Sequence, residues 1–416
     1  MSPVREVQNP STPGLEYPLP PGILTTFDHQ PRTRLIFGRD AIERIGDIAL
    51  ELGGKRLLLV TDPGIVLAGH SARAEKILRA KGFTVAVFDE VRENPTTGCV
   101  DRCVETAQKG KVDLIIGLGG GSSMDTAKGC NFVLTNGGRI QDYWGIGKAA
   151  KPMLPLIAVP TTAGTGSECQ SYALIADEIT HQKMACGDPK AAARVAILDP
   201  QLTLSQPGRV TACTGIDAIA HAVETAVTLK RNPLSLMYSH QAFKLCVAGF
   251  PKVLTTPNDV EARGCMLLGA ALAGTAIENS MLGAAHSAAN PLTAHYGIVH
   301  GQAVGMMLPH VVRFNSVDPE ARHAYAELAS APEIACVTEG IDRAAEALIA
   351  RLESLLNLAE MPRSLADCGV EKSRIPELAA EAAGQWTAGF NPRRISRSDF
   401  VDLYTAAFAT RGNGDQ

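Results

Sequence analysis

An apolar run that ends in a glycine cluster is the feature that most constrains the fold of this chain. Residues 113–128 read DLIIGLGGGSSMDTAK, with glycine at four of the five positions from 117 to 121. Glycine lets the backbone approach a pyrophosphate closely, and the free N–H groups of a helix N-terminus attract an anion. The stretch therefore favours a buried strand, a phosphate-binding loop and a helix. The alternative is a glycine-rich turn with Ser122 or Ser123 as the helix cap. The residues expected in the loop are Gly119, Gly120, Gly121 and Ser122.

The glycine cluster departs from the usual dinucleotide fingerprint. The pattern Gly117-x-Gly119-x-x-Ser122 lacks the third glycine, and no isolated acidic residue closes a strand about 20 residues further on. A Rossmann unit in its ordinary order is therefore not supported. A second candidate loop, residues 158–168 (AVPTTAGTGSE), ends an apolar run with hydroxyl residues and glycines, which suit hydrogen bonds to phosphate and ribose. Alone this stretch would be a polar surface turn, whereas beside the first loop it favours ligand binding.

Strand and helix signals alternate through the first half of the chain and then give way to helices alone. Predicted strands cover residues 33–37, 57–60, 84–88, 113–116, 154–159, 172–176 and 194–198. Predicted helices of the second half cover residues 210–227, 234–253, 260–278, 303–314, 343–356, 375–383 and 399–409. We therefore predict an α/β N-terminal domain with a mostly parallel sheet, followed by an all-α helical-bundle C-terminal domain.

A carboxylate and an imidazole lie one helical turn apart in an otherwise apolar stretch. Asp217 and His221 are four residues apart, so a helix places them on one face, roughly 5–6 Å apart at Cβ, close enough to hold one metal ion. His286 and His300 stand among small apolar residues further on and could complete the set. An aspartate with three histidines is a plausible divalent-cation site with room for a substrate oxygen. The alternative for each residue is an ordinary hydrogen-bonded side chain.

The same patterns set the expected domain limits. We predict a flexible proline-rich leader over residues 1–24, a dinucleotide-binding α/β domain over 25–202 and a helical metal-binding domain over 203–416.

Asp40 and Glu43 have the spacing of a capping box for a helix that runs to about residue 52. The most apolar window, residues 266–276, is too short to span a bilayer and predicts a buried helix.

Composition excludes several classes of partner. Charged residues make up 20% of the chain and the net charge is −4, so no basic surplus points to nucleic acid or to an anionic membrane. The 10 cysteines are dispersed without a CxxC pair, and no apolar signal region precedes them. This pattern favours reduced thiols in a cytoplasmic protein.

Together these motifs resemble the iron-containing (group III) alcohol dehydrogenase family, whose fold is dehydroquinate synthase-like. The resemblance extends from about Thr33 to Phe408. It implies NAD(H), Fe(II) or Zn(II), a small alcohol or aldehyde substrate, and a homodimer or higher homo-oligomer. The residues that carry it are Gly119–Ser122 with Asp125 and Lys128, the loop Pro160–Glu168, Asp217 with His221, His286 with His300 and Gly301, and Leu308-Pro309-His310.

The resemblance also implies roles for single residues. Asp217, His221, His286 and His300 match the four metal ligands of the family. Asp62 closes the second strand, where the family places an acidic residue beside the adenosine ribose. A carboxylate there would repel a 2′-phosphate, which favours NAD(H) over NADP(H). The residues implied to line the cofactor are Asp62, Asn94, Pro95, Gly119, Gly120, Gly121, Ser122, Asp125, Thr161, Thr162, Thr165 and Lys183, of which Lys183 could instead be an exposed surface lysine.

Asn290 departs from many relatives, which often carry another active-site histidine four residues after the one that His286 matches. An amide cannot shuttle a proton near neutral pH as imidazole can. A proton relay through this catalytic-site position, and the substrate preference that goes with it, are therefore in question. His295 and His310 are interpreted as structural.

The predicted function is NAD-dependent, divalent-metal-dependent interconversion of a small alcohol or diol and its aldehyde by hydride transfer. The alternatives are a lactaldehyde or hydroxyacid oxidoreductase of the same family, a dehydroquinate synthase-like lyase, and a non-catalytic NAD- and metal-binding subunit. Iron and zinc both tolerate this ligand set, so the native metal stays open.

Overall fold

A six-stranded parallel sheet is the framework of the N-terminal half. The computed structural model describes residues 26–180 and 182–408, so the predicted leader at 1–24 lies outside the described residues. Six strands are parallel, in the order β1-β9-β6-β4-β2-β3, and three form a smaller sheet in the order β5-β8-β7. The strands are β1 (Arg34–Phe37), β2 (Arg56–Val60), β3 (Thr84–Phe88), β4 (Leu114–Gly119), β5 (Gly145–Ile146), β6 (Leu156–Pro160), β7 (Tyr172–Ala176), β8 (Lys183–Gly187) and β9 (Val195–Leu198).

The central strands are continuous apolar runs because both faces of the sheet are covered. In β2, Leu57, Leu58, Leu59 and Val60 have no exposed surface. Leu58 and Val60 belong to one hydrophobic core and Leu57 and Leu59 to another, as expected when successive side chains point to opposite faces. The mostly parallel sheet predicted from the apolar runs is confirmed.

Helices follow the sheet and form the second half of the molecule. The helices of the first half are α1 (Ile45–Glu51), α2 (Pro63–Leu67), α3 (His70–Ala80), α4 (Thr97–Gly110) and α5 (Gly121–Asn136). Those of the second half are α6 (Gly208–Thr225), α7 (Pro233–Thr255), α8 (Val260–Ser280), α9 (Ala284–Tyr296), α10 (His300–Asn315), α11 (Pro319–Ser330), α12 (Ile341–Leu358), α13 (Ile375–Gly384) and α14 (Arg397–Phe408). The described part of the chain has no strand after Leu198, which confirms the predicted fold class.

Some local predictions differ from the structure. The predicted helices omit α9 and α11, and α9 is alanine-rich and contains Pro291, so its apolar period is weak. The capping box predicted at Asp40 is wrong. Asp40 has a φ of 56°, its side chain makes no cap hydrogen bond, and it accepts one from Arg73 at 2.9 Å. Residue 409, predicted as the last helical position, lies outside the described residues.

One described helix, α8, is long and apolar enough by composition to cross a membrane. Its mean hydropathy is 1.3 over the most apolar window, and 67% of that window is buried within the protein. It packs against α6 and α7. The burial therefore marks α8 as a core helix, as the apolar window predicted.

α8 also meets the α/β half at a very short backbone contact. The loop after β6 contains Gly166, which has a φ of 62°. A Cβ atom added to Gly274 of α8 would lie only 2.2 Å from the carbonyl oxygen of Gly166. The two halves of the molecule therefore touch backbone to backbone here, and both positions require glycine.

Beside this contact lies a buried polar network. The ammonium of Lys128 donates to the Ser167 carbonyl at 2.6 Å, to Ser167 Oγ at 2.9 Å and to the Tyr172 carbonyl at 2.9 Å. Ser167 Oγ donates in turn to Asp125 at 2.7 Å. Glu168 is 1% exposed, and its Oε1 atom has no hydrogen-bond partner in the described residues. Burial raises the pKa of Glu168 from 4.5 to about 7, against the opposing effects of its own backbone N–H and of Lys128.

We predict that Glu168→Gln stabilises the protein more at pH 8 than at pH 5. A carboxyl whose pKa is higher in the folded state destabilises that state as the pH rises from 4.5 to about 7. At roughly 1.4 kcal/mol per pKa unit, the penalty reaches about 3 kcal/mol above pH 7. Thermal unfolding of both proteins across this pH range measures the effect. Glu346→Gln, at an exposed position, is the control, and a gain from Glu168→Gln that does not change with pH contradicts the prediction.

Candidate active site

Three imidazoles from three helices converge on one carboxylate oxygen. We call Asp217, His221, His286 and His300 the ligand group. α6 carries the first two, and α9 and α10 bring His286 and His300 beside them. Asp217 Oδ1 lies 3.6 Å from His221 Nε2, 3.5 Å from His286 Nε2 and 3.9 Å from His300 Nε2. Atoms of Asp217, His221 and His286 all lie within 4.8 Å of one another. The structure therefore brings the four residues together.

Buried atoms without hydrogen-bond partners show that the ligand group fits a cation. In the described part of the chain these atoms include Asp217 Oδ1 and His286 Nε2, which face each other. A buried polar atom left unpaired costs about 1–3 kcal/mol, so two in one place call for a common partner. One carboxylate and three imidazoles are ligands that both iron(II) and zinc(II) accept.

The charges in the ligand group also suit a cation. Burial raises the pKa of Asp217, but the neighbouring imidazoles, His221 foremost, outweigh it and hold this pKa well below its usual range. Burial lowers the pKa of His300 to about 3 despite the nearby carboxylate. Burial also lowers the pKa of His286, but Glu224 and Asp217 outweigh it and raise this pKa to about 9. At pH 7 Asp217 is therefore charged and His300 neutral, the forms that bind metals, whereas a proton competes for His286.

Glu224 fixes the orientation of the His286 imidazole. Its Oε2 atom forms a short hydrogen bond with His286 Nδ1, and its Oε1 accepts the Ala285 N–H at 2.7 Å. With Nδ1 engaged, Nε2 is the imidazole nitrogen left to face the ligand group. Sequence reasoning gave Glu224 no role, although it lies seven residues after Asp217 and three after His221, on the same face of α6.

The two predicted loops interlock at the carboxyl ends of β4 and β6. The Thr161 N–H donates to the Gly119 carbonyl at 2.9 Å. α5 begins at Gly121, where an added Cβ atom would lie 2.8 Å from the Thr165 side chain. Glycine is thus required at this position for the second loop to cover the first. The N-terminus of α5 faces the cavity described below, which suits a phosphate group.

Asp62 lies at the end of β2, next to the glycine loop. Its side chain accepts the Ile65 N–H at 3.1 Å and so caps α2. Ser123 Oγ donates to its other oxygen at 3.3 Å. The carboxylate is therefore held in a fixed position beside the start of α5.

One cavity of about 630 Å³ connects the loops with the ligand group. This size is within the range of roughly 300–1,000 Å³ typical of small-molecule sites. Every predicted site residue except Gly119 lines it. These residues are Asp62, Asn94, Pro95, Gly120, Gly121, Ser122, Asp125, Thr161, Thr162, Thr165, Lys183, Asp217, His221, His286, Asn290 and His300. Gly119 precedes the lining residue Gly120, and its carbonyl accepts the Thr161 N–H.

The remaining predicted residues divide into cavity and surface positions. Lys183 begins β8 and lines the cavity, and part of the residue is exposed. Its ammonium group is withdrawn from solvent, which lowers its pKa, while Asp125 and Asp217 oppose the shift. His295 binds Glu381 on the surface, with Nε2 2.8 Å from Oε1. Neither His295 nor His310 lines the cavity.

Several cavity residues were not predicted from the sequence. Gln385, Trp386 and Thr387 follow α13 and line the cavity about 100 residues after His286. Arg209 and Cys213 line it from the start of α6. Arg209 and Cys213 could be found from the sequence, because Cys213 lies one turn before Asp217. The positions of Gln385, Trp386 and Thr387 depend on tertiary packing and could not.

Comparison with known proteins identifies the family. The family model described as iron-containing alcohol dehydrogenase matches residues 31–200, and that of the C-terminal part of the Fe-containing alcohol dehydrogenase family matches residues 211–408. The chain belongs to the iron-containing alcohol dehydrogenase family, a family of oxidoreductases.

Individual relatives cover almost the whole chain. The NAD-dependent methanol dehydrogenase of Bacillus methanolicus is 35% identical over 381 residues, covering 91% of this chain and 99% of its own. A crystal structure of 1,3-propanediol oxidoreductase has a TM-score of 0.89 and 32% identity, covering 92% of this chain and 100% of its own. Sulfoacetaldehyde reductase from Bifidobacterium kashiwanohense, solved with NAD+, has a TM-score of 0.83 and 28% identity, covering 92% and 99%.

Proposed function

We propose that this chain catalyses the NAD-dependent, divalent-metal-dependent interconversion of a small alcohol or diol and its aldehyde. The observation that carries the proposal is a single cavity lined both by the N-terminus of α5 and by the ligand group. Family membership supports the reaction class. We also propose that residues 25–202 bind the cofactor and residues 203–416 supply the ligand group. The end of the last strand at Leu198 and the start of α6 at Gly208 support this division.

The cavity supplies the contacts that a dinucleotide needs. The first turn of α5 offers free N–H groups to the pyrophosphate, and Asp62 offers a fixed carboxylate to the ribose hydroxyls. Lys183 and the ligand group line the same cavity and would contact the remainder of the cofactor. Bound NAD+ would supply the hydride acceptor: the alcohol carbon would lose a hydride and the hydroxyl a proton, so the products would be the aldehyde, NADH and one proton.

The ligand group would hold the divalent cation. A bound cation would supply electrostatic stabilisation of the ionised hydroxyl, in the way that it lowers the pKa of water from 15.7 to about 7. Asp217 contributes the negative charge, and Glu224 orients His286 so that Nε2 faces the site. Asn290 has no proton to exchange near neutral pH, so the released proton leaves through water or another group.

The proposal is tested by NADH formation, followed by absorbance, on a panel of small alcohols and diols. Protein loaded with Fe(II), protein loaded with Zn(II) and chelator-treated protein are compared, and metal is added back to the last. We expect turnover with at least one metal, its loss on chelation and its return on reloading. A rate of NADH formation that the chelator leaves unchanged contradicts the metal requirement. Metal-loaded protein that binds NADH but oxidises none of the panel contradicts the assignment as a dehydrogenase.

Asp62 provides a test of cofactor choice. We expect Asp62→Ala to raise kcat/KM for NADP+ at least about tenfold and to lower it for NAD+, because the variant removes like-charge repulsion of a 2′-phosphate and a partner for the ribose. Steady-state kinetics with both cofactors measure the change. Asp89→Ala, an exposed carboxylate outside the cavity, is the matched control. If NADP+ is used no better by Asp62→Ala, the carboxylate does not set the preference.

A further inference from the structure

Two uncharged amides form a pair inside the cavity, next to the ligand group. Asn290 lies on α9 one turn after His286, and Gln385 directly follows α13. Asn290 Nδ2 donates to Gln385 Oε1 at 3.1 Å, and both residues line the cavity together with His286 and His300. We call Asn290 and Gln385 the amide pair.

The segment that carries Gln385 is held against α9. The hydroxyls of Ser287 and Thr387 lie 2.7 Å apart and are buried. The next residue after Gln385 is Trp386, whose ring packs on Tyr172 and Phe390. The amide pair is therefore fixed by contacts on both sides and is not a chance contact of two mobile side chains.

The amide pair leaves one oxygen and one NH2 group without a partner. Its hydrogen bond uses one N–H of Asn290 and the Gln385 oxygen, and Asn290 Oδ1 and Gln385 Nε2 make no hydrogen bond within the described residues. Neither is among the fully buried unpaired atoms, so both keep accessible surface, and both residues line the cavity. Exchanging oxygen and nitrogen in both amides again leaves one oxygen and one NH2 group. A hydroxyl group can donate to the oxygen and accept from the NH2 group, so it complements the pair.

The surroundings of the amide pair disfavour a charged group. Asn290, Gln385, Trp386 and Thr387 all line the cavity and none carries a charge. A carboxylate or sulfonate placed there would meet a repelling oxygen beside the NH2 group, with no cation on this segment. A methyl group would leave Asn290 Oδ1 and Gln385 Nε2 unpaired, which costs binding free energy.

The distance from His286 to the amide pair sets the length of the substrate. Four residues of helix rise about 6 Å. In a 1,3-diol, four bonds of about 1.5 Å in zigzag separate the two oxygens by about 5 Å. A three-carbon diol is therefore long enough to place one hydroxyl at the ligand group and the other at the amide pair.

We infer that the amide pair is the specificity determinant for a second, uncharged hydroxyl, so that the preferred substrate is a small diol about three carbons long rather than a simple alcohol or an anionic hydroxyacid. The inference rests on the proposed function and deepens it. Three substrates with three carbons each separate the possibilities, because they differ only at the far end: 1-propanol, 1,3-propanediol and 3-hydroxypropionate. We expect the metal-loaded enzyme to favour the diol over each of the others by at least about tenfold in kcat/KM.

Variants of both amides then assign the preference. We expect Gln385→Leu and Asn290→Leu each to lower the ratio of kcat/KM for the diol to that for 1-propanol by about tenfold, chiefly through the KM of the diol. Because the two amides act as a unit, the double variant should lower the ratio little further. Thr293→Val, on α9 but outside the cavity, is the matched control and keeps the wild-type ratio. Near-ultraviolet circular dichroism checks that each variant is folded.

The outcomes are distinguishable. Oxidation of 1-propanol and the diol with equal kcat/KM, a preference for 3-hydroxypropionate, or a ratio that both leucine variants leave unchanged overturns the inference and leaves the dehydrogenase proposal standing. Failure of the metal-loaded, NAD-binding protein to oxidise these three substrates and every alcohol of the panel overturns both.

Discussion

His286→Ala should lower kcat/KM by roughly 10³-fold or more and leave the purified protein with much less bound metal. The variant removes one of four converging ligands and leaves the buried Glu224 carboxylate without its imidazole partner. Loss of the cation forfeits several kcal/mol of charge stabilisation in the transition state, and each 1.36 kcal/mol is a factor of ten in rate. NADH absorbance measures the rate, and elemental analysis of dialysed protein measures the metal.

His295→Ala is the matched control, because this histidine lies on the same helix, is bound to Glu381 on the surface and does not line the cavity. It should retain both metal and activity. A His286→Ala protein that keeps stoichiometric metal and normal turnover would show that the ligand group is a set of ordinary buried polar residues.

Gly301→Ala should disturb the site without removing a functional group. An added Cβ atom would lie 2.0 Å from the Cys213 carbonyl oxygen and 3.2 Å from Asp217 Cβ, so α10 must move away from α6. Overpacking of this kind costs about 1–3 kcal/mol or more. His300, the neighbouring residue, moves with the helix, and a displacement of about 1 Å costs roughly 10²-fold in rate.

Thermal unfolding, metal titration and kcat/KM together measure the effect of Gly301→Ala. Gly384→Ala, at the end of α13, is the control because nothing lies within 4 Å of the added atom. We expect the control to match the wild type in all three measurements. A Gly301→Ala protein with unchanged stability and metal affinity would mean that α6 and α10 can separate freely.

The fold could be predicted from local patterns because the sheet is buried on both faces. Each central strand is a continuous apolar run, and such runs are readable without tertiary information. α9 could not be predicted in the same way, since alanine, serine and Pro291 blur its apolar period. The capping box at Asp40 was predicted wrongly for another reason. The spacing of Asp40 and Glu43 suits a cap, but the Asp40 carboxylate accepts a hydrogen bond from Arg73 on the surface instead.

The site was predictable to the extent that its residues share a helix or a loop. Asp217 and His221 are one turn apart, and the glycine cluster lies within one stretch. Glu224 was within reach of the same reasoning, since it continues the face of α6. Gln385 was not, because its contact with Asn290 joins residues 95 positions apart that meet only through the packing of α9 against the segment after α13.

The contact between Gly166 and Gly274 bears on the width of the cavity. An added Cβ at Gly274 would stand 2.2 Å from the Gly166 oxygen, so a side chain at this position would push the loop after β6 away from α8. Thr165 of that loop and Ile277 of α8 both line the cavity. Two residues without side chains, remote from the ligand group, therefore set how close two walls of the cavity lie.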